Sequence, residues 1–287
     1  MLRLPAPSLT FAALLLLVSA ACTPAAPGGS VAPSDAASAT TSEPPTEPAE
    51  SGFTTMTEGV LTVGTDLPNP PFFLGEDIDT PDPEGFEVEL VNEIASRLGI
   101  AEVDWVLFPF TSVVAAAPCP CDFFVGGVSI FPDRAEVVDF SAPYFTANQG
   151  VLVQAGTEVA DREGARELQF GVQRDSSGQF FLDFDLEPTT DPLIYDTTTA
   201  AILALNAGQI DALMTDIPIL LEIASENEDL VVAGQFITTE EYGAVLPKDS
   251  PNTEPLSAVI EEMEEDGFLD QLFAEWFPDN VEIRILE

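Results

Sequence analysis

An α/β fold in two lobes is what the sequence predicts, and three observations predict it. Short apolar runs suited to buried strands alternate with segments of helical periodicity over residues 61–144. A second alternation begins at Gly150, past a crossing through Thr146-Ala147-Asn148. Asp66, Arg134 and Asp216 stand just beyond apolar runs, at the carboxyl ends of predicted strands, where open α/β sheets bind their ligands. A chain of 287 residues with 46% apolar content is long enough to bury a sizeable core in one or two domains.

The first residues are not part of that core. Arg3, the apolar run Phe11 to Val18 and the small residues after it make residues 1–21 a secretory signal. Ser19-Ala20-Ala21-Cys22 resembles a lipoprotein processing site, which makes Cys22 the lipidated first residue of the mature chain and anchors it to a membrane. Ordinary signal cleavage is the alternative, because Ser19 stands where a larger aliphatic residue is usual. Residues 22–58 read as a tether. Cys22 to Gly52 has no aromatic residue and six prolines among alanine, serine and threonine, too polar and broken to fold alone. As flexible coil it spans on the order of 30 Å.

The folded part opens with a strand, Leu61 to Thr65, ending at Asp66 before an irregular loop set by Pro68, Pro70 and Pro71. Gly85-Phe86 starts a helix with Leu90, Val91, Ile94, Ala95 and Leu98 at helical spacing and Gly99 as its stop. Val103 to Phe108 is a second strand. Phe110 follows it and suits either core or a ligand platform.

The run Asp122 to Val125 (DFFV) suits a strand buried on both faces. Gly126 and Gly127 at its end let a backbone come close to a ligand and offer free backbone groups. Ser129 adds a hydroxyl, and Pro132-Asp133 begins a short helix carrying Arg134, whose planar fork matches a carboxylate. An amino or organic acid is implied. The alternative is a surface arginine paired with Asp133, Glu136 or Asp139.

In the second run, Leu168 to Val172 is a strand, and Gln173-Arg174-Asp175-Ser176-Ser177-Gly178 turns into a helix whose first amides suit a carboxylate. An ordinary serine cap explains the same turn. Ile194-Tyr195 is a strand and Thr198 to Ala207 a helix closed by Gly208. Ala212 to Thr215 is a strand ending at Asp216, which reads either as a ligand group or as the cap of the helix Pro218 to Ala224. Leu230 to Val232 and Tyr242 to Leu246 are the last strands, and two helices broken at Gly267 fill Leu256 to Phe277.

Composition excludes several functions. A net charge of −42, one lysine (Lys248) and no histidine leave no basic patch to meet nucleic acid. Such a surface suits a salt-adapted or surface-exposed protein, and most acids on helices read as solvated faces. Cys119-Pro120-Cys121 reads as a local disulfide or two thiols. A metal site needs further ligands, and no histidine is there to supply one.

The order Gly126-Gly127-Val128-Ser129, then Arg134 five residues beyond Ser129, then Asp139-Phe140-Ser141-Ala142-Pro143-Tyr144 resembles the family 3 extracellular solute-binding proteins, the amino-acid receptors of ABC importers. Their usual form is close to aG-x-T-x-T-x-x-R followed by v-D-F-S-x-P-Y. Ser129 replaces the first threonine and keeps its hydroxyl; Phe131 replaces the second and loses it. The resemblance runs over about Leu61 to Phe277 and includes Gly208, Asp211, Ala212 and Asp216 and the terminal DGFLDQLFAEWF.

It implies a two-lobe type II periplasmic binding protein fold with a hinge of two crossing segments. Residues 59–147 and 240–287 would form the first lobe and residues 148–239 the second. Arg134 and Ser129 would take the ligand's α-carboxylate, helped by the turn from Gln173 to Ser177. Asp216 and the backbone at Gly126 and Gly127 would take the α-ammonium. Phe110 would stack beside the aliphatic stem and Asp66 would meet the side-chain end. The partners implied are a free amino acid, a permease and its ATPase, for a lipid-anchored monomer on the extracytoplasmic face that needs no cofactor or metal.

The same fold resembles cyclohexadienyl dehydratases and the front half of some lytic transglycosylases, for which the chain is short. For the dehydratase, with no histidine and one remote lysine, only carboxylates could move a proton in the cleft, so a binding protein rather than an enzyme is expected. A sensing module would need a transmembrane helix and a signalling domain. A free lipoprotein feeding a sensor remains the other reading. Because Asp66 is a carboxylate, glutamine and basic amino acids rank above acidic ones, unless Arg174 turns inward.

Overall fold

The computed structural model describes residues 52–75, 77–277 and 282–287. Cys22, the signal segment and nearly all of the tether lie outside them. Two five-stranded sheets organise the rest. The first has the order β2-β1-β3-β10-β4, built from β1 (Val60–Thr65), β2 (Glu102–Leu107), β3 (Phe123–Phe124), β4 (Val138–Phe140) and β10 (Val245–Pro247). The second has the order β7-β6-β8-β5-β9, from β5 (Phe145–Gln154), β6 (Phe170–Gln173), β7 (Leu193–Tyr195), β8 (Ala212–Asp216) and β9 (Leu230–Tyr242).

Helix α1 (Phe86–Leu98) covers the first sheet because Leu90, Val91, Ile94 and Ala95 fall on one face, all buried. Gly85 starts it at φ 144°, which brings the amides of Phe86 and Glu87 onto the carbonyls of Pro71 and Phe72 at 3.1 and 3.0 Å. Two otherwise orphaned helix donors are satisfied this way. Gly99 ends the helix in the left-handed region at φ 72°, as a C-terminal glycine does. Helices α8 (Thr253–Glu265) and α9 (Phe268–Trp276), separated by left-handed Gly267, close the same side. Here Leu256, Ile260 and Met263 join Leu61, Val63 and Phe123 in the core. The other face of the sheet carries the short helices α2 (Phe110–Val114) and α3 (Pro132–Ala135). The loop between α2 and β3 is closed by a disulfide, Cys119–Cys121, which decides between the two states the sequence left open.

The second sheet is covered by α4 (Arg162–Arg166), α5 (Ser177–Phe181) with the π-helical turn Leu182–Leu186, α6 (Thr198–Asn206) and α7 (Ile217–Glu226). Gly150 sits under α7 with no room for a side chain, its missing Cβ falling 2.7 Å from Leu220 Cδ1.

Strands β5 and β9 form the connection. They run antiparallel from Phe145↔Tyr242 through Ala147↔Glu240 to Gln154↔Leu230, with a shift of register between Ala147 and Gln149. Where the sequence suggests two short strands, Leu230 to Val232 and Tyr242 to Leu246, β9 is one strand of 13 residues followed by β10. Its middle, Gln235-Phe236-Ile237-Thr238-Thr239-Glu240, mixes polar and apolar residues without a sustained apolar run, yet its pairing with β5 carries it through as one strand.

The C-terminus departs from the expected lobe. Residues 282–287 lie against the second sheet: Ile285 bridges Gln235, Leu286 donates to the Gln235 carbonyl at 2.8 Å, and Leu286 is buried with Val153, Phe170 and Met214. Gly234 on β9 makes the space, since a Cβ there would meet Leu286 Cγ at 2.6 Å.

Candidate functional site

Arg134 projects from α3, a turn started by Pro132, and its side chain is 8% exposed. Its Nη1 donates to the Ser129 carbonyl at 2.9 Å and its Nη2 to the Asp175 carbonyl, on the second sheet's side, at 2.8 Å. Phe131 lies under the guanidinium at 5.0 Å and Phe110 at 5.7 Å, cation-π distances. Asp133, Glu136 and Asp139 do not pair with it, so the surface-turn alternative fails. Burial brings the guanidinium down to about 10, opposed by Glu240, Asp216 and Asp175.

Facing it are two buried carboxylates. Asp216 ends β8 and precedes α7, but its side chain does not cap that helix. It accepts instead from Tyr242 Oη at 2.5 Å, from Gln149 Nε2 and from Ser177 Oγ at 3.5 Å. Burial and the nearby Glu240 carboxylate push Asp216 up to about 7. Glu240 accepts from Ser129 Oγ at 3.0 Å, Gln149 Nε2 at 2.9 Å and Thr238 Oγ1 at 2.9 Å. Ser176, not Ser177, caps α5 by accepting from the Gln179 amide at 3.1 Å. That leaves Ser177 turned toward Gln149 and Asp216.

Glu87 is a third buried acid, 1% exposed and pushed up to about 7 by its burial. It accepts from Tyr144 Oη at 2.5 Å and the Gly127 amide at 2.9 Å, and Asn69 approaches at 3.5 Å. The Gly127 amide is therefore engaged, contrary to the expectation of free backbone groups there, and its carbonyl is what it can offer a ligand. Gly127 is left-handed at φ 63°, and Gly126 packs so closely on Phe124 that a Cβ would lie 2.8 Å from the ring.

The remaining expected residues are less central. Asp66 is half-buried and accepts from the Leu67 and Phe110 amides, both at 3.0 Å, so its carboxylate also fastens the turn into α2. Burial raises its pKa against those two bonds. Phe110 is at the same time a core residue, packed with Val113 and Phe124. Gln173 accepts from Thr198 Oγ1 at 3.0 Å and lies at the edge. Arg174 points away, pairing with exposed Asp196 at 3.0 Å. Beside Arg134 lies a cavity of about 320 Å³ bounded by Phe131, Val137, Asp175 and Phe180. The rings of Phe131 and Phe180 pack against each other at its wall, their centres 5.7 Å apart.

Sequence reasoning missed Glu87, Gln149, Glu240 and Tyr242. Glu87 sits on the apolar stripe of α1, in step with Val91 and Ile94. Glu240 shares a strand face with Phe236 and Tyr242, and Gln149 one with Val151 and Val153. A polar residue in phase with a buried face was the available signal.

The model of the bacterial extracellular solute-binding proteins, family 3, matches residues 61–279. The chain belongs to this family. Among relatives, the ABC transporter glutamine-binding protein GlnH of Bacillus subtilis is 30% identical over 207 residues, covering 69% of this chain and 74% of the relative. The L-cystine-binding protein TcyJ of Escherichia coli is 29% identical over 231 residues, 78% of this chain and 84% of the relative. Among solved structures, an ancestral arginine-binding protein bound to glutamine superposes with a TM-score of 0.69 at 27% identity, covering 78% of this chain and all of that one. As a family 3 solute-binding protein the chain has the two-lobe α/β fold of periplasmic amino-acid-binding proteins, and its family is extracytoplasmic. Among the described residues no cluster of acids or cysteines could hold a metal, and no helix is long and apolar enough to cross a membrane.

Proposed function

We propose that this protein binds a polar amino acid between its lobes, on the extracytoplasmic face of a membrane, and delivers it to the permease of an ABC importer. The observation that carries the reading is Arg134. It is a buried guanidinium with no carboxylate bridged to it among the described residues, and buried acceptors for an ammonium lie beside it. A zwitterion fits such a pair of opposite charges: the carboxylate goes to Arg134, Ser129 and the Ser177 turn, and the α-ammonium to Asp216 and the Gly127 carbonyl. Gly126 gives the loop its close approach, Phe110 supports the guanidinium, and Asp66 and Gln173 border the side-chain end. The binding proteins named above support binding rather than catalysis. We further propose that Cys22 carries a lipid anchor and that the receptor acts as a monomer with a permease and its ATPase.

Arg174 turns outward to Asp196, and among the described residues no cation bridges Asp66, which keeps glutamine and basic amino acids ahead of acidic ones. Calorimetric titration of the purified domain with the twenty amino acids tests the reading. Micromolar or tighter binding of a polar amino acid is expected, and absence of binding to all twenty would overturn it.

A further inference from the structure

We propose that Glu240 is a specificity-determining residue of the cleft and that it selects ligands carrying a positive charge in addition to the α-ammonium. The inference rests on the amino-acid site proposed above. Glu240 belongs to the crossing strand β9, outside the pattern that pointed to the site, yet it lies at the centre of it. Its carboxylate is 3.0 Å from Ser129 Oγ on the Arg134 side and 2.9 Å from Gln149 Nε2, and the same Gln149 nitrogen reaches Asp216 and Ser177. Ser129 is thus adjacent to Glu240, and Arg134, Asp216 and Ser177 are one residue removed from it.

Charge decides what such a site prefers. Two carboxylates, Asp216 and Glu240, stand against one guanidinium, Arg134, and all three are less than 10% exposed. A ligand with no net charge gives its carboxylate to Arg134 and its ammonium to one acid, and leaves the other acid buried without a counter-ion. Closing the lobes over that excess is unfavourable, because hydrogen bonds alone offset the burial of a charge less fully than a counter-ion does. A second cation on the ligand removes the imbalance. The hydrogen-bond inventory points the same way. Gln149 is wholly buried, its Nε2 is spent on acceptors, and its Oε1 receives no hydrogen bond among the described residues. The cleft is therefore rich in acceptors, and a ligand rich in N–H donors matches it. Binding a proton on Asp216, which is pushed up to about 7, would also relieve the excess, so the discrimination is strongest above that pH.

The test is calorimetry at pH 8 with arginine and citrulline, which share length and shape and differ in side-chain charge. The wild-type protein should bind arginine at least about tenfold more tightly. Glu240→Gln should bring the two affinities to within about threefold of one another, mainly by weakening arginine. Glu241→Gln removes the same charge from the neighbouring exposed position and should leave the ratio unchanged, which separates a local effect from the charge of the whole surface. An unchanged ratio in Glu240→Gln, or a wild-type protein that prefers citrulline, overturns the proposal. Should Glu240→Gln fail to fold, Glu240→Asp, which draws the charge back by one methylene, takes its place and should narrow the arginine-to-citrulline ratio, whereas an unchanged ratio overturns the proposal. Equal, measurable binding of both ligands removes the role of Glu240 and leaves the amino-acid reading standing, whereas a wild-type protein that binds no amino acid at all removes both.

Discussion

The guanidinium of Arg134 reaches from the first lobe to the carbonyl of Asp175 in the second, 2.8 Å away, while its other terminal nitrogen holds the Ser129 carbonyl. One side chain thereby spans the cleft and presents the fork on which a ligand carboxylate is expected to dock. Replacing Arg134 by lysine keeps the charge and loses the fork, so it cannot serve both positions. Ligand affinity should fall by about 2 to 5 kcal/mol, the range for a charge pair broken in a closed site. Calorimetry showing less than a fivefold loss would contradict this.

Glu87 and Asp216 titrate near 7 in the folded protein, well above their ordinary values of 4.5 and 3.8, chiefly through burial. A carboxyl raised in the folded state stabilises the fold below its unfolded value, and that contribution is lost as pH rises through the folded one. Stability should therefore fall between about pH 4 and pH 7 and level off above. The acidic surface pushes in the same direction. Glu87→Gln isolates the buried share: Gln can still accept from Gly127 and Tyr144, and the drop measured by denaturant unfolding should shrink by on the order of 2 kcal/mol.

The same titration governs binding. Protonated Asp216 cannot pair with an ammonium, so affinity for the ligand should rise from pH 5 to pH 8 and level off above it. A flat profile would place the ammonium elsewhere.

Gly85 permits the approach of α1 to the Pro71–Phe72 loop. A Cβ there would overlap the Phe72 carbonyl oxygen and lie 2.7 Å from its carbonyl carbon, at a φ that side chains avoid. Gly85→Ala should cost about 2 kcal/mol or more, from overpacking and backbone strain together. A melting temperature within about 2 °C of wild type would show that the loop yields.

Much of the architecture was readable because it is local. Gly99 and Gly267 mark helix ends, Pro132 starts the turn bearing Arg134, and Asp66, Arg134 and Asp216 follow strands whose apolar runs are plain. The carboxylates that surround the site were not, for a physical reason. Glu87 reaches Gly127 across 40 positions and Glu240 reaches Ser129 across 111, and nothing near either residue in sequence names those partners. In a chain with 50 acids, two buried ones hide among solvated ones. The tail was misassigned for a similar cause, since the fit of Leu286 over Gly234 exists only once the second sheet has formed.

Strand β10 occupies an interior place in the first sheet, between β3 and β4, although the chain reaches it only at Val245. During synthesis, β1, β2, β3 and β4 are all made before their missing neighbour, and the whole second sheet is translated in the interval. The N-terminal half therefore waits with two strand edges open, at Phe124 and Phe140, which β10 later covers. The order of translation supplies all five strands of the second sheet before the first sheet can close, and the Leu286 tail joins the second core only at the very end. Protection of the nascent chain, by translocation or by a holding chaperone, has its greatest value in the window between residues 140 and 245.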